Sequence, residues 1–351
     1  MTAKRIAFVE LWRLGDAVLA TAGLRALRLA CPDAEIALLA HPVAGDPLIR
    51  SGDYDTFIPF SPFWTRKNYG WDKYLPWTID YGHVVGTWRR LRAFRADTYL
   101  LFRGDPREQA FFASVGGGEV VDARYQQRIF PGTRLLSRLT GVRRYREYLH
   151  HVTQWAGADV TAFPHIAAVP TPIETDHVLV HPGASWALRQ WPPERTATLI
   201  DVLADAGHKV YLVGGPGEQP LIQQIHQATR SRPEVRYPSL EELYVLTRGA
   251  RAVICQNSSE LHIAEALGTP CVVLNGPTDV VRFGAWRSST VSVCKSLELP
   301  CHPCIERRCI RPAGPCINDI GITDVVSALR TLGVLPVAQA RSHDASAAAS
   351  V

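Results

Sequence analysis

Short apolar runs alternate with helical patterns along most of this sequence. The run from Lys4 to Leu11 predicts a buried strand, and Leu19, Leu24 and Leu27 recur near helical spacing in the segment that follows. A second apolar run, from Ile36 to Ala40, predicts the next strand. A strand, a helix and a strand in this order indicate the beginning of a parallel, doubly wound sheet.

The same alternation begins again in the second half of the chain. Further strands are predicted at 178–180, at 209–213, up to residue 255 and at 271–274, with helices at 193–206, from 220, at 261–267 and at 322–332. Two α/β domains are therefore predicted, residues 1–165 and 166–336, joined by a Pro-rich linker at 163–177. The Ala/Ser-rich tail, 337–351, lacks the apolar residues of a core and is expected to be disordered.

One region fits the alternation poorly. Between Ser51 and Gly86, aromatic and proline residues dominate, and the pattern predicts mostly loop and interrupted helix.

Composition agrees with a globular protein of two domains. The 351 residues are 46% hydrophobic and 20% charged, and no apolar stretch reaches the roughly 20 residues that a transmembrane helix needs. Charged residues interrupt the first apolar run, so a signal peptide is not expected. We expect a cytoplasmic protein, in which the eight cysteines serve as thiols or metal ligands rather than as disulfides.

Positive charge is concentrated in the first domain. Residues 1–165 hold 22 Lys and Arg against 16 Asp and Glu, whereas residues 166–351 hold 16 against 17. Arg89, Arg90, Arg92 and Arg95 form part of this excess. Such a run is either a solvated helix face or a surface for an anionic acceptor or an anionic membrane leaflet. Nucleic acid is not expected, because no nucleic-acid-binding motif accompanies the charge.

Loops that follow predicted strands carry the candidate chemistry, because ligands of open α/β sheets bind at the carboxyl ends of the strands. In the first domain Asp16 follows Leu14-Gly15 and is either a helix N-cap or a general base. In the second domain four loops point to a nucleotide-type ligand, namely HPGASWALR, GGPGE, NSSELH and NGPTD. The motifs GxGxxG and GxxxxGK[ST] are missing, which argues against a nicotinamide dehydrogenase and a P-loop NTPase.

The segment 177–194 is expected to bind phosphate. A strand that ends in a Pro-Gly loop and leads into a helix would direct backbone N–H groups and the helix dipole to one place, and Arg189 adds a positive charge. Glu218 could accept hydrogen bonds from a ribose diol. The candidate donor-binding residues are Gly183, Ala184, Ser185, Arg189, Gly215, Glu218, Asn257, Ser258, Ser259 and His262. Arg13, Arg89 and Arg92 are candidates for binding the acceptor.

In order along the chain, these blocks resemble glycosyltransferase family 9, the lipopolysaccharide heptosyltransferases. The matching segments are RIAFVELWRLGD, HPGASWALRQWPPE, VYLVGGPGE, ICQNSSELHIAEALGTPCVVLNGPTD and CHPC. The resemblance implies a GT-B fold of two Rossmann-like domains, and an inverting, metal-independent transfer of heptose from ADP-heptose to the lipopolysaccharide inner core or a related glycolipid. It also implies that Asp16 is the general base, that no cofactor is needed, and that the protein could contact the inner membrane peripherally.

Three positions depart from the family pattern. Members often have Lys where Arg189 stands, and usually have Asp and Gly where Asn257 and Ser259 stand. An amide lacks the charge of a carboxylate, so another nucleotide-sugar donor is an alternative. A non-catalytic glycan-binding or assembly protein with a degenerate site is a further one.

The last cysteines allow two interpretations. Cys301, Cys304, Cys309 and Cys316 could bind a structural zinc, which takes four thiolates tetrahedrally. Their irregular spacing favours unmodified thiols in a loop that is fastened back to the domain. We therefore expect no metal.

Overall fold

The protein consists of two parallel α/β sheets, each with helices on both faces. A computed structural model describes residues 4–65, 75–103, 105–122, 144–304 and 308–336. The predicted tail, 337–351, lies outside the described residues. The strand order is β3-β2-β1-β4-β5 in the first sheet and β11-β10-β9-β6-β7-β8 in the second. Two doubly wound domains are thus confirmed.

The first sheet and its helices come from the first half of the chain. The strands are β1 (Arg5–Glu10), β2 (Glu35–Ala40), β3 (Thr56–Pro59), β4 (Thr98–Leu101) and β5 (Glu119–Asp122). The helices are α1 (Leu14–Ala30), α2 (Asp46–Ser51), α3 (Tyr81–Phe94), α4 (Pro106–Val115) and α5 (Arg144–Ala156).

The second sheet uses the rest of the chain. Its strands are β6 (His177–His181), β7 (Val210–Val213), β8 (Glu234–Arg236), β9 (Ala250–Gln256), β10 (Cys271–Asn275) and β11 (Thr290–Cys294). The helices are α6 (Pro193–Asp205), α7 (Gln219–Ala228), α8 (Leu240–Gly249), α9 (Ser259–Leu267), α10 (Val280–Phe283) and α11 (Ile322–Thr331).

The strands read as continuous apolar runs because both faces of each sheet are covered. In β1, Ile6 and Phe8 pack toward α1 and α5, whereas Ala7 and Val9 pack toward α3 and α4. Close packing of α1 on α5 depends on Gly23, where a Cβ atom would lie 3.0 Å from Cβ of Tyr148. Helix α1 is thereby held in a fixed position.

Each sheet has one point at which the strand order reverses direction. It lies between β1 and β4 in the first sheet and between β6 and β9 in the second. Loops leaving the carboxyl ends of the two strands at such a point diverge, and the gap between them is where ligands of this architecture bind. The ligand region of each domain is therefore set by its topology.

A small apolar cluster joins the domains. Val18 of α1 packs with Ile166 and Val169 of the connecting segment and with Tyr244 and Ile263 of the second domain. No helix within the described part of the chain is long and apolar enough to cross a bilayer.

The region from 51 to 86 is more regular than its sequence pattern predicts. Strand β3 lies at the edge of the first sheet, where Ala37 to Ala40 of β2 pair with residues 56–59. Helix α3 begins at Tyr81, where Asp80 caps it by accepting a hydrogen bond from the backbone N–H of His83. Residues 66–74 lie outside the described residues.

Candidate functional site

The two ligand regions touch at the beginning of α1 and α9. A Cβ atom at Gly15 would lie 3.1 Å from Cδ2 of His262 and 3.4 Å from Cα of Ser259. Helix α1 follows β1 and α9 follows β9, and both strands lie at the points where their sheets reverse order. Two loops that the sequence singled out separately are therefore in direct contact.

Asp16 lies at this contact, in the first turn of α1. Its Oδ2 accepts a hydrogen bond from Nη2 of Arg103 at 2.8 Å, and the two side chains are 17% and 19% exposed. Asp16 follows β1 and Arg103 follows β4, so the ion pair spans the reversal point of the first sheet. The N-cap residue of α1 is Arg13. The helix N-cap role, which the sequence left open for Asp16, is therefore excluded.

The half-buried Trp12 and the buried Glu10 hold Arg103 in place. Its guanidinium lies 4.4 Å from the centre of the Trp12 ring, and its Nε lies 3.9 Å from Oε1 of Glu10. Glu10 is fully buried and accepts a hydrogen bond from the hydroxyl of Tyr148 on α5. Sequence reasoning missed Arg103, although its place two residues beyond β4 satisfies the same strand-end rule that identified Asp16.

The pKa of another acidic side chain near Arg103, that of Glu108, is shifted. Glu108 is buried, and Nε1 of Trp12 donates to its Oε1 at 2.9 Å. Burial, together with the charges of Glu10 and Asp105, raises the pKa of Glu108 to about 8. The Glu108 carboxyl group therefore remains largely protonated at neutral pH.

The second domain places another guanidinium near Asp16. Arg282 of α10 donates from Nε and Nη2 to the two carboxylate oxygens of Glu147 on α5, at 2.7 and 2.8 Å. Burial lowers the pKa of Arg282 to about 10, while the charge of Asp16 raises it and that of Arg103 lowers it. Arg282 remains protonated at neutral pH, and its bidentate ion pair with Glu147 connects the domains.

His262 is the second-domain group next to Gly15. Burial lowers its pKa to about 4, against the opposing effect of the Asp16 charge. Its Nδ1 is buried and has no hydrogen-bond partner among the described residues. A neutral imidazole with one ring nitrogen available can donate to or accept from a bound ligand.

The Pro-Gly loop and the GGPGE loop meet through Glu218. Its Oε2 accepts from the backbone N–H of Gly215 at 2.7 Å and lies 3.3 Å from Nε2 of His181. Burial lowers the pKa of His181, but the hydrogen bond to Glu218 and the charge of Glu260 outweigh it and raise that pKa. A Cβ atom at Gly183 would lie 1.9 Å from Oε1 of Glu218. The absence of a side chain at 183 makes room for this carboxylate.

The segment after β6 adds one element to the predicted order of strand, loop and helix. A 3-10 turn (Ala187–Arg189) lies between the loop and α6, which begins at Pro193 as predicted. Arg189 lies at the end of the turn, with its guanidinium 4.5 Å from the centre of the Trp186 ring.

The first turn of α9 reaches the site, where it meets the first turn of α1. Ser258 is the N-cap residue of α9 and makes no side-chain capping bond. The Oγ atoms of Ser258 and of Thr278 are buried and have no hydrogen-bond partner in the described part of the chain. The hydroxyl group of Ser258, at the positive end of α9, therefore suits an anionic ligand.

The candidate acceptor residues lie in two places. Arg13 precedes α1 and lies beside the Asp16 turn. Arg89 and Arg92 instead line a cavity with Arg5, the first residue of β1, at the opposite edge of the sheet from Asp16. The length of a six-residue strand, about 17 Å, separates that edge from Asp16. Of the three, Arg13 lies near Asp16 and the other two lie away from it, and the acceptor role of all three stays a prediction.

Comparison with known proteins identifies the family. Residues 123–313, more than half of the chain, match the family model described as glycosyltransferase family 9 (heptosyltransferase). The chain belongs to glycosyltransferase family 9. The resemblance of its sequence blocks to this family is thereby confirmed.

Curated family 9 proteins align over a limited part of the chain. Lipopolysaccharide heptosyltransferase 3 of Escherichia coli is 28% identical over 124 residues, which are 33% of this chain and 36% of that protein. Lipopolysaccharide heptosyltransferase 1 of Pseudomonas aeruginosa is 27% identical over 133 residues, or 38% and 37% of the two chains. The chain thus spans little more than a third of the length of these relatives.

Solved family 9 structures share the whole fold. The glycosyl transferase family 9 protein of Veillonella parvula superposes with a TM-score of 0.73 at 18% identity, covering 94% of this chain and 97% of that one. The E. coli heptosyltransferase WaaC with ADP gives 0.70 at 17% identity, with coverages of 93% and 99%. The fold is therefore GT-B, as the family resemblance implied.

Asn257, where the family resemblance leads us to expect aspartate, is part of a buried amide network. Its Nδ2 donates to Oδ1 of Asn275 at 2.8 Å and to the carbonyl of Phe283 at 3.1 Å. Asn275 in turn donates to Oγ of Ser292 at 2.6 Å. Both donated hydrogens need an amide, because a carboxylate could make neither bond. The hydrogen-bond acceptors around residue 257 therefore suit the amide of Asn257.

The cysteine segment is fastened to the NGPTD loop by polar backbone contacts. The backbone N–H of Cys304 donates to the carbonyl of Pro277 at 2.9 Å, and Nε2 of His302 lies 3.0 Å from the carbonyl of Thr278. Cys301, Cys304, Cys309 and Cys316 are all free thiols. Among the described residues, which omit 305–307, no group of three His, Cys, Asp or Glu side chains is placed to hold a metal ion.

Proposed function

We propose that this protein is an inverting glycosyltransferase that transfers a sugar, heptose from ADP-heptose, to the lipopolysaccharide inner core or a related glycolipid. The observation that carries the proposal is the contact between Gly15 and His262, because it sets Asp16 of the first domain against the second-domain loops. Family membership and the relatives named above supply the sugar and the donor nucleotide.

Asp16 is the proposed general base. It would accept the proton of the acceptor hydroxyl while the hydroxyl oxygen forms a bond to the anomeric carbon and the bond to the diphosphate breaks. The neighbouring Arg103 favours the ionised carboxylate that a base requires, and orients it through the 2.8 Å hydrogen bond.

The second domain would hold the donor. Ser258 and Ser259, at the uncapped beginning of α9, and Arg189 would bind the diphosphate as negative charge develops on it. His262 would offer its buried Nδ1 as a hydrogen-bonding partner. Glu218, already positioned by the N–H of Gly215, would accept from the ribose hydroxyls. Backbone groups of residues 183–185 line the same loop.

A transfer assay on Asp16→Asn tests the catalytic role. The variant should bind ADP with unchanged affinity and lose transfer by about 100-fold or more, the usual contribution of a general base. Full turnover would remove Asp16 from this role. Arg189→Ala should weaken ADP binding in calorimetry, and an unchanged affinity would contradict the phosphate assignment.

A different donor nucleotide is the second candidate, favoured by the amide at Asn257. A thermal-shift screen across ADP-, GDP- and UDP-sugars at equal concentration separates the two, since a ligand that binds only the folded state raises the melting temperature more, the more tightly it binds. Preference for UDP or GDP would overturn the ADP donor. Glycan binding without transfer or donor hydrolysis from any nucleotide sugar would support a non-catalytic protein instead.

A further inference from the structure

Helix α3 carries exposed apolar and basic side chains that the sugar-transfer site does not use. Trp77, in the 3-10 turn before the helix, is 79% exposed, and Tyr81 and Val85 are 55% and 44% exposed. Four arginines follow in the same helix and at its C-cap, namely Arg89, Arg90, Arg92 and Arg95, and no acidic residue lies between Asp80 and Asp97. Exposed aromatic residues next to arginines are typical of surfaces that meet a bilayer.

These side chains share one face of the helix. Tyr81, Val85, Arg89 and Arg92 follow one another at intervals of three or four residues, and all four are exposed. Leu91 on the other side is buried in the core of the first domain. A flat surface could therefore contact the aromatic and the basic residues at the same time.

The helix runs along the domain with a defined direction. Its first turn lies at the carboxyl edge of the sheet, where the N–H of Ser61, just after β3, donates to Nε2 of His83 at 3.1 Å. Its last turn lies at the amino edge, where Nη1 of Arg5 donates to the carbonyl of Phe94 at 3.3 Å. The apolar end of the face is thus at the same sheet edge as Asp16.

The arginines border an open cavity of about 460 Å³, lined by Arg5, Trp88, Arg89, Arg92 and Arg95. Arg92 lies 5.0 Å from the centre of the Trp88 ring, and Arg5 pairs with Glu35 at 2.9 Å. Phosphate groups of lipids complement such a cluster electrostatically.

We propose that the exposed face of α3, made of Tyr81, Val85, Arg89 and Arg92, docks on an anionic lipid bilayer together with Trp77 of the preceding turn. The aromatic residues would enter the headgroup region while the arginines contact lipid phosphates, with the helix lying in the plane of the membrane. This contact would bring the Asp16 edge of the first domain close to a membrane-anchored acceptor. The docking itself does not depend on the identity of the transferred sugar.

Vesicle flotation of the full chain tests the proposal without substrates. Phosphatidylcholine vesicles containing phosphatidylglycerol should bind the protein at low salt and release it at high salt, and vesicles of phosphatidylcholine alone should bind it weakly. Arg89→Ala with Arg92→Ala should lower partitioning about 30-fold, at about 1 kcal/mol per arginine. Trp77→Ala with Tyr81→Ala should lower it about tenfold on both kinds of vesicle.

A matched control removes two exposed arginines of the second domain, Arg251→Ala with Arg330→Ala, and should bind like the wild type. Circular dichroism checks that each variant is folded. Equal losses in both arginine pairs, or no preference for anionic vesicles, would overturn the docking surface. So would stabilisation by inorganic pyrophosphate that depends on Arg89 and Arg92 without any vesicle binding, because it would assign the cavity to a soluble anion.

Discussion

Replacing Asn257 by aspartate introduces the residue that the family resemblance leads us to expect, yet it should destabilise this protein. The Asn257 side chain is buried and donates both amide hydrogens, to Oδ1 of Asn275 and to the carbonyl of Phe283. A carboxylate of the same shape would face both acceptors with an acceptor of its own. The substitution therefore tests whether this site has been rebuilt around an amide.

The loss of stability in Asn257→Asp depends on which of the two acceptors can reorient. The side-chain amide of Asn275 can flip. Nδ2 of Asn275 would then donate to the new carboxylate, and the hydroxyl of Ser292 would donate to Oδ1 of Asn275, so a hydrogen bond between residues 257 and 275 would form again. The carbonyl of Phe283 has no such freedom and would be left unpaired against a negative charge, at a cost of about 1–3 kcal/mol. Adding about 1 kcal/mol for a less favourable Asn275 geometry gives roughly 2–4 kcal/mol in all.

Urea unfolding of wild type and Asn257→Asp across pH measures this cost. Burial and the facing acceptors would raise the pKa of the new carboxyl above its unfolded value, so stability present at low pH is lost as the pH rises through the raised value. The variant should accordingly lose more stability at about pH 8 than at about pH 5. Asn318→Asp makes the same change at a half-buried position and should stay within about 0.5 kcal/mol of wild type. Equal stability of all three proteins at alkaline pH would refute the reasoning.

Three other substitutions test neighbouring parts of the site. Gly183→Ala should weaken ADP binding in calorimetry, because its Cβ would lie 1.9 Å from Oε1 of Glu218 and displace that carboxylate; unchanged affinity would mean that Glu218 does not contact the nucleotide. Glu108→Gln should stabilise the protein increasingly as the pH rises. The pKa of Glu108 is raised from 4.5 to about 8, so between these pH values the folded protein keeps a proton that the unfolded chain releases. The wild type therefore loses stability as the pH rises from about 4.5 to about 8, whereas the Glu108→Gln variant does not. A difference in urea midpoint that stays constant from about pH 5 to pH 8 would contradict the raised pKa. Glu147→Gln should weaken the contact between the domains by about 1–3 kcal/mol, because the guanidinium of Arg282 loses a charged partner; unaltered hydrogen exchange in α5 and α10 would show that the ion pair does not hold them together.

Much of the fold could be predicted because parallel strands that are covered on both faces appear in the sequence as continuous apolar runs. The runs at 4–11, 36–40 and 271–274 all correspond to observed strands, displaced by a residue or so at their ends. Strand β3 was missed, since its four residues, TFIP, lie at the sheet edge and are only partly buried. A short edge strand in an aromatic-rich region has neither the length nor the burial that the pattern depends on.

The candidate site was predictable in part, for a related reason. A loop after a strand can be recognised locally, and Asp16 and the NSSELH block, which the structure brings together, were predicted as site residues in this way. Ion pairs between distant elements have no such signal, and Glu147 and Arg282 are 135 residues apart in the chain. The beginning of α6 at Pro193 was predicted correctly, because Pro192-Pro193 marks it in the sequence, whereas the 3-10 turn before it (Ala187–Arg189) has no such signal.

Two helix ends of like polarity meet at this site, and their meeting links donor binding to the contact between the domains. The first turns of α1 and α9 touch at Gly15, and neither N-cap residue, Arg13 or Ser258, makes a side-chain capping bond. Each end carries a partial positive charge, so bringing them together is unfavourable unless an anion lies between or beside them. Asp16 supplies one negative charge, and a diphosphate at α9 would supply more. Donor binding should therefore strengthen the contact between the domains, and by thermodynamic reciprocity complete loss of the contact would weaken ADP binding by the same factor. Glu147→Gln, which only loosens the contact, should weaken ADP binding by no more than that factor.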